Sequence, residues 1–163
     1  MATIEELKPE FFPLVAEWLS NPAINQWLDG DWRGRSINSS LVAVTVRNRR
    51  NRLFLVRSDA TPCGVVALAD IEVADRLAMV WYLMGDAAFT GRGIISDALS
   101  QIVAFGFDEL ALECIYAWVM QNNTRSIRVL VKSGFRQMGC LRRSACFHGK
   151  QVDRIYFDSV RHL

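Results

Sequence analysis

Residues 89–96 read Phe89-Thr90-Gly91-Arg92-Gly93-Ile94-Ile95-Ser96, and this stretch decides the fold because it joins a strand pattern at 77–84 to a helical pattern that continues to about residue 110. A strand-to-helix junction directs unpaired backbone N–H groups and the positive end of the helix dipole at one point, and glycine lets an anion come close to the backbone. The stretch therefore predicts a phosphate or pyrophosphate site. It is equally compatible with a tight turn that needs glycine only for its dihedral angles.

Outward from this stretch, the sequence predicts strands that first follow one another and then alternate with helices. The β patterns at 53–56, 63–71 and 77–84 are separated by turn residues and predict an antiparallel meander. The later predicted elements are a strand at 113–120, a helix at 124–132, and strands at 135–141 and 151–160 around a His148-Gly149-Lys150 turn. This order predicts an α/β or α+β fold around one mixed sheet.

The amino-terminal third is expected to add a short strand and helices to this sheet. A strand pattern covers residues 3–7, and helical patterns cover residues 10–19 and 23–28. Residues 37–50 are ambiguous, because their apolar side chains fit both helical spacing and strand alternation. We favour a helix there.

Length and composition indicate one globular domain over residues 1–163. Hydrophobic residues make up 51% of the chain and charged residues 22%, and no apolar run has the length of a membrane span. The net charge of +2 is too small to predict a nucleic-acid partner, although residues 32–58 carry seven Arg and no acid. Four of these lie close together and are either a solvated helix end or an anion site: Arg47, Arg49, Arg50 and Arg52.

The cysteines and histidines do not predict a metal site. Cys63, Cys114, Cys140 and Cys146 lack CxxC spacing and lie in apolar or strand-like runs, so they predict reduced structural thiols. Neither His148 nor His162 is spaced to a second His or Cys as a zinc ligand set requires. Residues 1–6 have neither the basic stretch nor the apolar core of a secretory signal, and we expect a cytoplasmic protein.

A second motif begins 30 residues after Gly93 and reads Asn123-Thr124-Arg125-Ser126-Ile127-Arg128-Val129-Leu130-Val131-Lys132-Ser133-Gly134-Phe135. Asn123 or Thr124 can cap the predicted helix and Gly134 can end it. The combination of Asn123, Ser126-Ile127, Lys132 and Gly134-Phe135 with the loop at residues 90–95 resembles the GNAT superfamily of acyl-CoA-dependent N-acetyltransferases. The resemblance covers nearly the whole chain and is greatest to the branch of ribosomal-protein alanine acetyltransferases and amino-sugar acetyltransferases.

The resemblance implies a fold and a set of cofactor-binding residues. It implies a twisted mixed sheet whose fourth and fifth strands splay apart and admit the pantetheine arm of acetyl-CoA. The residues that it assigns to the cofactor are Leu83, Met84, Thr90, Gly91, Arg92, Gly93, Ile94, Ile95 and Asn123. The chain departs from the family pattern at Thr90, where Arg or Gln is usual, and at Ile95, where Gly or Ala is usual. Because backbone N–H groups mainly hold the pyrophosphate, these side chains are compatible with binding.

The catalytic groups that the family often uses are absent. Leu130 stands where many members have a Tyr acid, and Met79 stands where many have a Glu base. The implied chemistry is direct attack of a neutral amine on the acetyl thioester, with no role for a cysteine nucleophile. The proton-transfer candidates are then Tyr82, Asp70 and His148, or a chain of water molecules.

The function that the resemblance implies is acetyl-CoA-dependent N-acetylation of a primary amine on a small molecule, an amino sugar or a protein N-terminus. The alternative is a catalytically inactive CoA-binding regulatory or pathway-assembly module. A domain that binds nucleic acid through the arginine cluster is a third hypothesis, but we expect no nucleic-acid and no membrane partner; a homodimer is compatible with the sequence. Trp27, Trp32 and Trp81 either line the acceptor pocket or belong to the core.

Overall fold

A computed structural model describes residues 1–162, which form seven strands and five α-helices. Short 3-10 turns at Pro9–Phe11 and Ala87–Phe89 precede α1 and α4. In chain order the elements are β1 (Ala2–Glu6), α1 (Phe12–Ser20), α2 (Pro22–Asn25), α3 (Ser39–Arg47), β2 (Arg52–Ser58), β3 (Thr61–Glu72), β4 (Leu77–Met84), α4 (Ile94–Asp108), β5 (Cys114–Met120), α5 (Thr124–Lys132), β6 (Arg136–Phe147) and β7 (Lys150–Val160).

All seven strands form one sheet in the order β1-β2-β3-β4-β5-β7-β6. The β1–β2–β3–β4 meander and the β5–β7–β6 group are each antiparallel, whereas β4 and β5 pair in parallel. Helix α4 makes the crossover between β4 and β5 that a parallel pair requires. The predicted mixed sheet is confirmed.

The contact between β4 and β5 is short. Only Leu77, Ala78 and Met79 pair with β5, opposite Cys114, Ile115 and Tyr116. From Val80 onward β4 has no partner on that side, so the two strands separate and leave a gap in the sheet. The splayed fourth and fifth strands implied by the family resemblance are present.

Two apolar cores cover the two faces of the sheet. The first core packs α4 and Leu130 of α5 on strand residues such as Val66 and Leu68. The second packs α1 and α3 on the alternate strand residues, among them Val65 and Ala67. Because side chains alternate between faces along a strand, a strand buried on both faces is a continuous apolar run, as β3 is.

Most predicted elements are present, with shifted ends. The helix predicted at residues 10–19 begins as a 3-10 turn and becomes α1 only at Phe12, and the helix predicted at residues 23–28 is the four-residue α2. The ambiguous segment at 37–50 contains helix α3. The strand predicted to end at residue 141 continues as β6 to Phe147, because a bulge between Leu141 and Ala145 restores its pairing with β7. Arg143 in this bulge has a left-handed φ of 52° and donates its amide to the Asp153 carboxylate.

The structure also bears on the cysteines and on membrane spans. All four cysteines are free, as predicted, but only Cys63 is buried, whereas Cys140 and Cys146 are exposed on β6. Their strand-like surroundings in the sequence did not reveal that β6 is an edge strand. None of the helices within residues 1–162 combines the length and the apolar character needed to cross a bilayer.

Candidate active site

The gap between β4 and β5 opens into a cleft of about 1040 Å³. Its walls come from segments that are far apart in the sequence. Most residues of five segments line it, although some in these ranges, such as Asp31 and Arg92, do not: residues 21–32 around α2, 79–84 of β4, 85–96 through the start of α4, 118–119 of β5, and 122–132 of α5 and its preceding loop. The cleft therefore joins the glycine loop, the splayed strand and the second motif.

The glycine loop presents a run of free amides to this cleft. Gly91 and Gly93 have φ values of 81° and 77°, which favour glycine, and Gly93 is the residue before α4. The first helical amide to find an acceptor is that of Asp97, which donates to the Gly93 carbonyl at 3.0 Å. Among residues 1–162, nothing accepts a hydrogen bond from the amides of residues 91–96. Six consecutive free N–H groups at a helix N-terminus form an anion-binding concavity.

Cationic side chains of α5 surround the same concavity. The ammonium Nζ of Lys132 lies 3.7 Å from the position that a Cβ on Gly93 would occupy. Arg125 and Arg128 also line the cleft, and none of the three forms an ion pair with another residue in the described chain. Their charge complements the free amides. The Arg92 side chain takes a different course, with its guanidinium over the ring of Phe89, 5.3 Å from the ring centroid.

The two departures from the family loop have local explanations. Ile95 is buried in the core beneath the loop, and its Cδ1 lies 3.5 Å from where a Cβ on Gly64 would stand. Because Ile95 packs in the first core with the rest of α4, its bulk is directed into the core and does not block the amides. Thr90 lines the cleft and donates its amide to the Ala87 carbonyl at 3.1 Å.

The inner edge of β4 exposes backbone groups to the gap. Gly85 donates its amide to the Cys63 carbonyl of β3 at 2.7 Å. Because backbone direction alternates along a strand, the amide of Leu83 also faces β3, and that of Met84 faces the side from which β5 has separated. Leu83 and Met84 both line the cleft, but Met84 supplies the free amide.

Tyr82 crosses the gap and connects β4 to α5. Its hydroxyl lies 2.6 Å from Ser126 Oγ and 3.3 Å from the Ser126 carbonyl oxygen, to which it donates. Burial raises the pKa of Tyr82 to about 12, so the phenol stays protonated at neutral pH. Asn123 begins α5, and its side-chain oxygen accepts from the Ser126 amide at 3.2 Å. Tyr82 and Asn123 both line the cleft.

The other two predicted proton-transfer residues are not among those that line the cleft, although His148 contacts a lining residue, Gln26. Asp70 is exposed at a bulge of β3, where its φ is 50°. His148 is at the tip of the β6–β7 hairpin, and its Nε2 lies 3.0 Å from the side-chain oxygen of Gln26. It lines a separate cavity of about 350 Å³. The structure brings Tyr82 to the glycine loop and Asn123, but not Asp70 or His148.

The tryptophans named in the sequence analysis line the cleft, whereas the clustered arginines do not. Arg47, Arg49 and Arg50 are exposed, none of the four clustered arginines lines the cleft, and Arg50 lies 3.9 Å from Glu72. Trp27, Trp32 and Trp81 all line it. The rings of Trp32 and Trp81 are 6.0 Å apart, and Trp27 stacks on Phe147 at 4.5 Å. Trp32 is also buried in the second core, so it has both of the roles considered for it from the sequence, packing in the core and lining the cleft.

Sequence reasoning missed two cleft residues. Asp29 supplies the one carboxylate among the cleft-lining residues that the structure describes, and burial raises its pKa. Trp118 on β5 lines the cleft, and the guanidinium of Arg154 lies 4.1 Å from its ring centroid. Side chains alternate between the two faces along β5, so Trp118 points to the face opposite the buried Ala117 and Val119. This alternation could have identified Trp118 from the sequence. No local pattern marks Asp29.

The chain is similar to known acetyltransferases. The model of the acetyltransferase (GNAT) domain matches residues 2–136. The chain is 38% identical over 97 residues to the probable N-acetyltransferase YjcK and 26% identical over 103 residues to the putative ribosomal N-acetyltransferase YdaF, both of Bacillus subtilis. These matches cover 59% and 63% of the chain, but only 53% and 56% of the two relatives, so the chain spans about half of their length.

A solved structure, the spermidine N-acetyltransferase of Vibrio cholerae in complex with CoA and spermine, is similar in fold. The TM-score is 0.86 at 17% identity, and the comparison covers 98% of this chain and 95% of the other. The splayed strands, the free amides at the start of α4 and the family match over most of the length agree with one another. The chain belongs to the acetyltransferase (GNAT) domain family.

Proposed function

We propose that this protein is an acetyl-CoA-dependent N-acetyltransferase that transfers the acetyl group directly to a primary amine of a small molecule. The observation that carries the proposal is the run of free amides at residues 91–96, which opens onto the gap between β4 and β5. Membership of the GNAT family and the names of the relatives support the same activity.

The residues of the loop fit the diphosphate of the acetyl donor. The amides of Gly91, Arg92, Gly93, Ile94 and Ile95 have no other acceptor among residues 1–162, and Lys132 brings a positive charge to them. Thr90 begins the loop. A pyrophosphate requires several donors at short range and a helix dipole of the correct sign, and this site has both.

The gap fits the extended arm of the donor. Its edge carries the Met84 amide, and across it stands Asn123, whose side-chain nitrogen has no acceptor among the described residues. Leu83 adds apolar surface from the same strand. An arm with amide groups and methylenes needs such a mixture of free donors and apolar wall.

The donor supplies a thioester, which an amine attacks without a covalent enzyme intermediate. In our proposal the Met84 amide donates a hydrogen bond to the carbonyl oxygen on which negative charge develops. Tyr82 stays protonated and acts as a donor, or holds a water molecule, rather than as a base. The walls of the cleft align the two reactants.

We assign the general base, which accepts the proton of the amine, to no single one of the predicted candidates. Asp70 and His148 lie outside the cleft lining and would act only through water, so a chain of water molecules from the cleft to solvent is the simplest route for the amine proton. A thiolate with a parent pKa of about 8.5 leaves without an obligatory acid, so Leu130 in place of a Tyr is compatible with turnover.

We further propose that residues 1–163 act as one acetyltransferase domain in the cytoplasm, for which four free cysteines are typical. A homodimer also stays a prediction, and sedimentation of the purified chain measures it. Amino sugars and protein N-termini remain acceptor classes for the screen below.

The decisive experiment combines binding with turnover. We expect acetyl-CoA to raise the melting temperature of the full chain, and a panel of small amines, amino sugars and amino-terminal peptides to release free thiol from acetyl-CoA with an acetylated product visible by mass spectrometry. The inactive-module alternative predicts the thermal shift without any amine-dependent thiol. Absence of both effects would contradict the proposed function altogether.

A further inference from the structure

The cleft has two chemically different ends on the two faces of the sheet. Tyr82 and Met84 pack with the core that contains α4 and α5, on the side of the free amides and the basic residues. Trp81 and Leu83 pack with Trp32 in the core of the opposite face. We call the part of the cleft formed by Trp27, Asp29, Trp32 and Trp81 the acceptor end. A molecule there reaches the gap from the side opposite the anion-binding loop.

The acceptor end contains a carboxylate without a counter-ion. Asp29 is half-buried, its Oδ1 accepts only the amide of Asp31 at 2.9 Å, and no ion pair within residues 1–162 includes it. The charge of nearby Arg154 lowers the pKa of Asp29 somewhat, but Arg154 forms no ion pair with it and lies over the Trp118 ring. A partly desolvated charge without a partner is unfavourable unless a ligand supplies the opposite charge. Asp29 is therefore placed to bind a cation.

The neighbouring side chains strengthen this site for a cation. Three of the four indoles that line the cleft belong to the acceptor end with Asp29, and the rings of Trp32 and Trp81 stand 6.0 Å apart, inclined by 45°. Indole faces attract ammonium groups, and the attraction grows as water is excluded. Trp27 is held by its stack on Phe147, which belongs to the β6–β7 hairpin. A carboxylate and indoles that line the same cleft together favour positive charge over neutral polar groups.

We propose that Asp29, Trp27, Trp32 and Trp81 form a cation site that selects acceptors with a second positive charge, the class of alkyl diamines and polyamines. The attacking nitrogen must lose its proton before it reacts, so a charge that stays on Asp29 during the reaction belongs to another group of the acceptor. This inference rests on the proposed function, because it names the acceptor class of the same cleft. It distinguishes diamines from amino sugars and peptide N-termini, which carry one amine.

The test uses three amines of equal chain length. 1,4-Diaminobutane, 5-aminopentanoate and n-pentylamine each have an amine on four methylenes and end in an ammonium, a carboxylate or a methyl group. Titration calorimetry of the CoA-bound full chain measures their affinities without turnover. We expect 1,4-diaminobutane to bind at least about tenfold more tightly than the other two. Asp29→Asn should remove this preference, and Asp31→Asn, an exposed neighbour outside the cleft lining, should keep it.

The outcomes separate this inference from the proposed function. Equal affinity for the three amines, or a diamine preference that survives in a folded Asp29→Asn protein, would overturn the cation site even if acetylation is observed. Absence of amine-dependent thiol release from every acceptor would instead contradict the enzyme activity. A rise in KM for 1,4-diaminobutane with an unchanged KM for acetyl-CoA in Asp29→Asn supports the site at the level of turnover.

Discussion

The partly buried charge of Asp29 suits it to bind a cation, as we propose, and the same charge destabilises the protein when no cation is bound. Burial raises the pKa of its carboxyl, with the charge of Asp31 adding to the effect and that of Arg154 and the Asp31 amide hydrogen bond opposing it. The folded state therefore binds the proton more tightly than the unfolded state does. Its contribution to stability is present at low pH and is lost as the pH rises through the raised pKa.

This sign predicts the stability of Asp29→Asn. The asparagine keeps an oxygen for the Asp31 amide and removes the charge, so its melting temperature should exceed that of the wild type at pH 7 to 8, and the difference should shrink toward about pH 4. Thermal unfolding across this range measures it. Asp31→Asn is the control, with little expected change. The same difference in melting temperature between Asp29→Asn and the wild type at about pH 4 and at pH 8 would contradict the argument.

Cys63 is the one buried cysteine, and its environment argues against nucleophilic catalysis. Burial raises the pKa of the thiol, and Sγ donates weakly to the Val56 carbonyl at 3.5 Å. A protonated thiol is a poor nucleophile. We expect Cys63→Ser to retain turnover close to that of the wild type, with some loss of stability from packing. Loss of all amine-dependent thiol release in a folded variant would reopen a covalent mechanism.

At the scale of elements, the junction between the glycine loop and α4 combines free amides with the Lys132 ammonium. Gly93→Glu places a carboxylate where it repels the phosphates and pairs with Lys132. Gly93→Gln is the matched control, since it has the same size and the same strain at a φ of 77°. We expect acetyl-CoA affinity in Gly93→Glu to fall at least about tenfold below that in Gly93→Gln. Equal affinities measured by calorimetry would remove this junction from the donor site.

Element prediction succeeded where a local pattern was strong. The ends of β4 and α5 match the predicted ranges 77–84 and 124–132, because Met84 is followed by Gly85 and Asn123 caps α5 with its side chain. The prediction for β6 stopped early, because the bulge around Arg143 depends on pairing with Asp153 of another strand. Helix α2 ends at Asn25, earlier than the predicted residue 28, and the Asn25 side chain donates to the backbone carbonyls of Leu19 and Arg35.

At the scale of the whole molecule, the two parts of the sheet are joined by few interactions. Three residue pairs connect β4 to β5, and the Tyr82 hydroxyl adds a connection from β4 to Ser126 across the gap. The gap that admits a ligand is therefore also where the sheet is least paired. A bound donor that contacts both sides stabilises the folded protein by mass action.

Tyr82→Phe tests this connection. We expect an unfolding free energy lower by about 1 kcal/mol, with a smaller effect from Tyr116→Phe, whose hydroxyl has no hydrogen bond within the described chain. Saturating acetyl-CoA should reduce the difference if it bridges the gap. Denaturant unfolding with and without acetyl-CoA measures both quantities. A loss as large for Tyr116→Phe as for Tyr82→Phe would contradict the role of the connection.

The order of the meander strands, the glycine loop and a helix cap at Asn123 or Thr124 are predictable from the sequence alone, because these depend on neighbours a few residues away; the structure selects Asn123 as the cap. Which candidates share one cleft depends on the tertiary fold: it brings Tyr82 to Ser126, leaves Asp70 and His148 out of the cleft lining, and places Asp29 in the same cleft as Trp81. One helix and two strands, α3, β2 and β3, lie between Asp29 and Trp81 along the chain. Only packing of the whole sheet between its two cores brings such groups together, and no local pattern of residues encodes that distance.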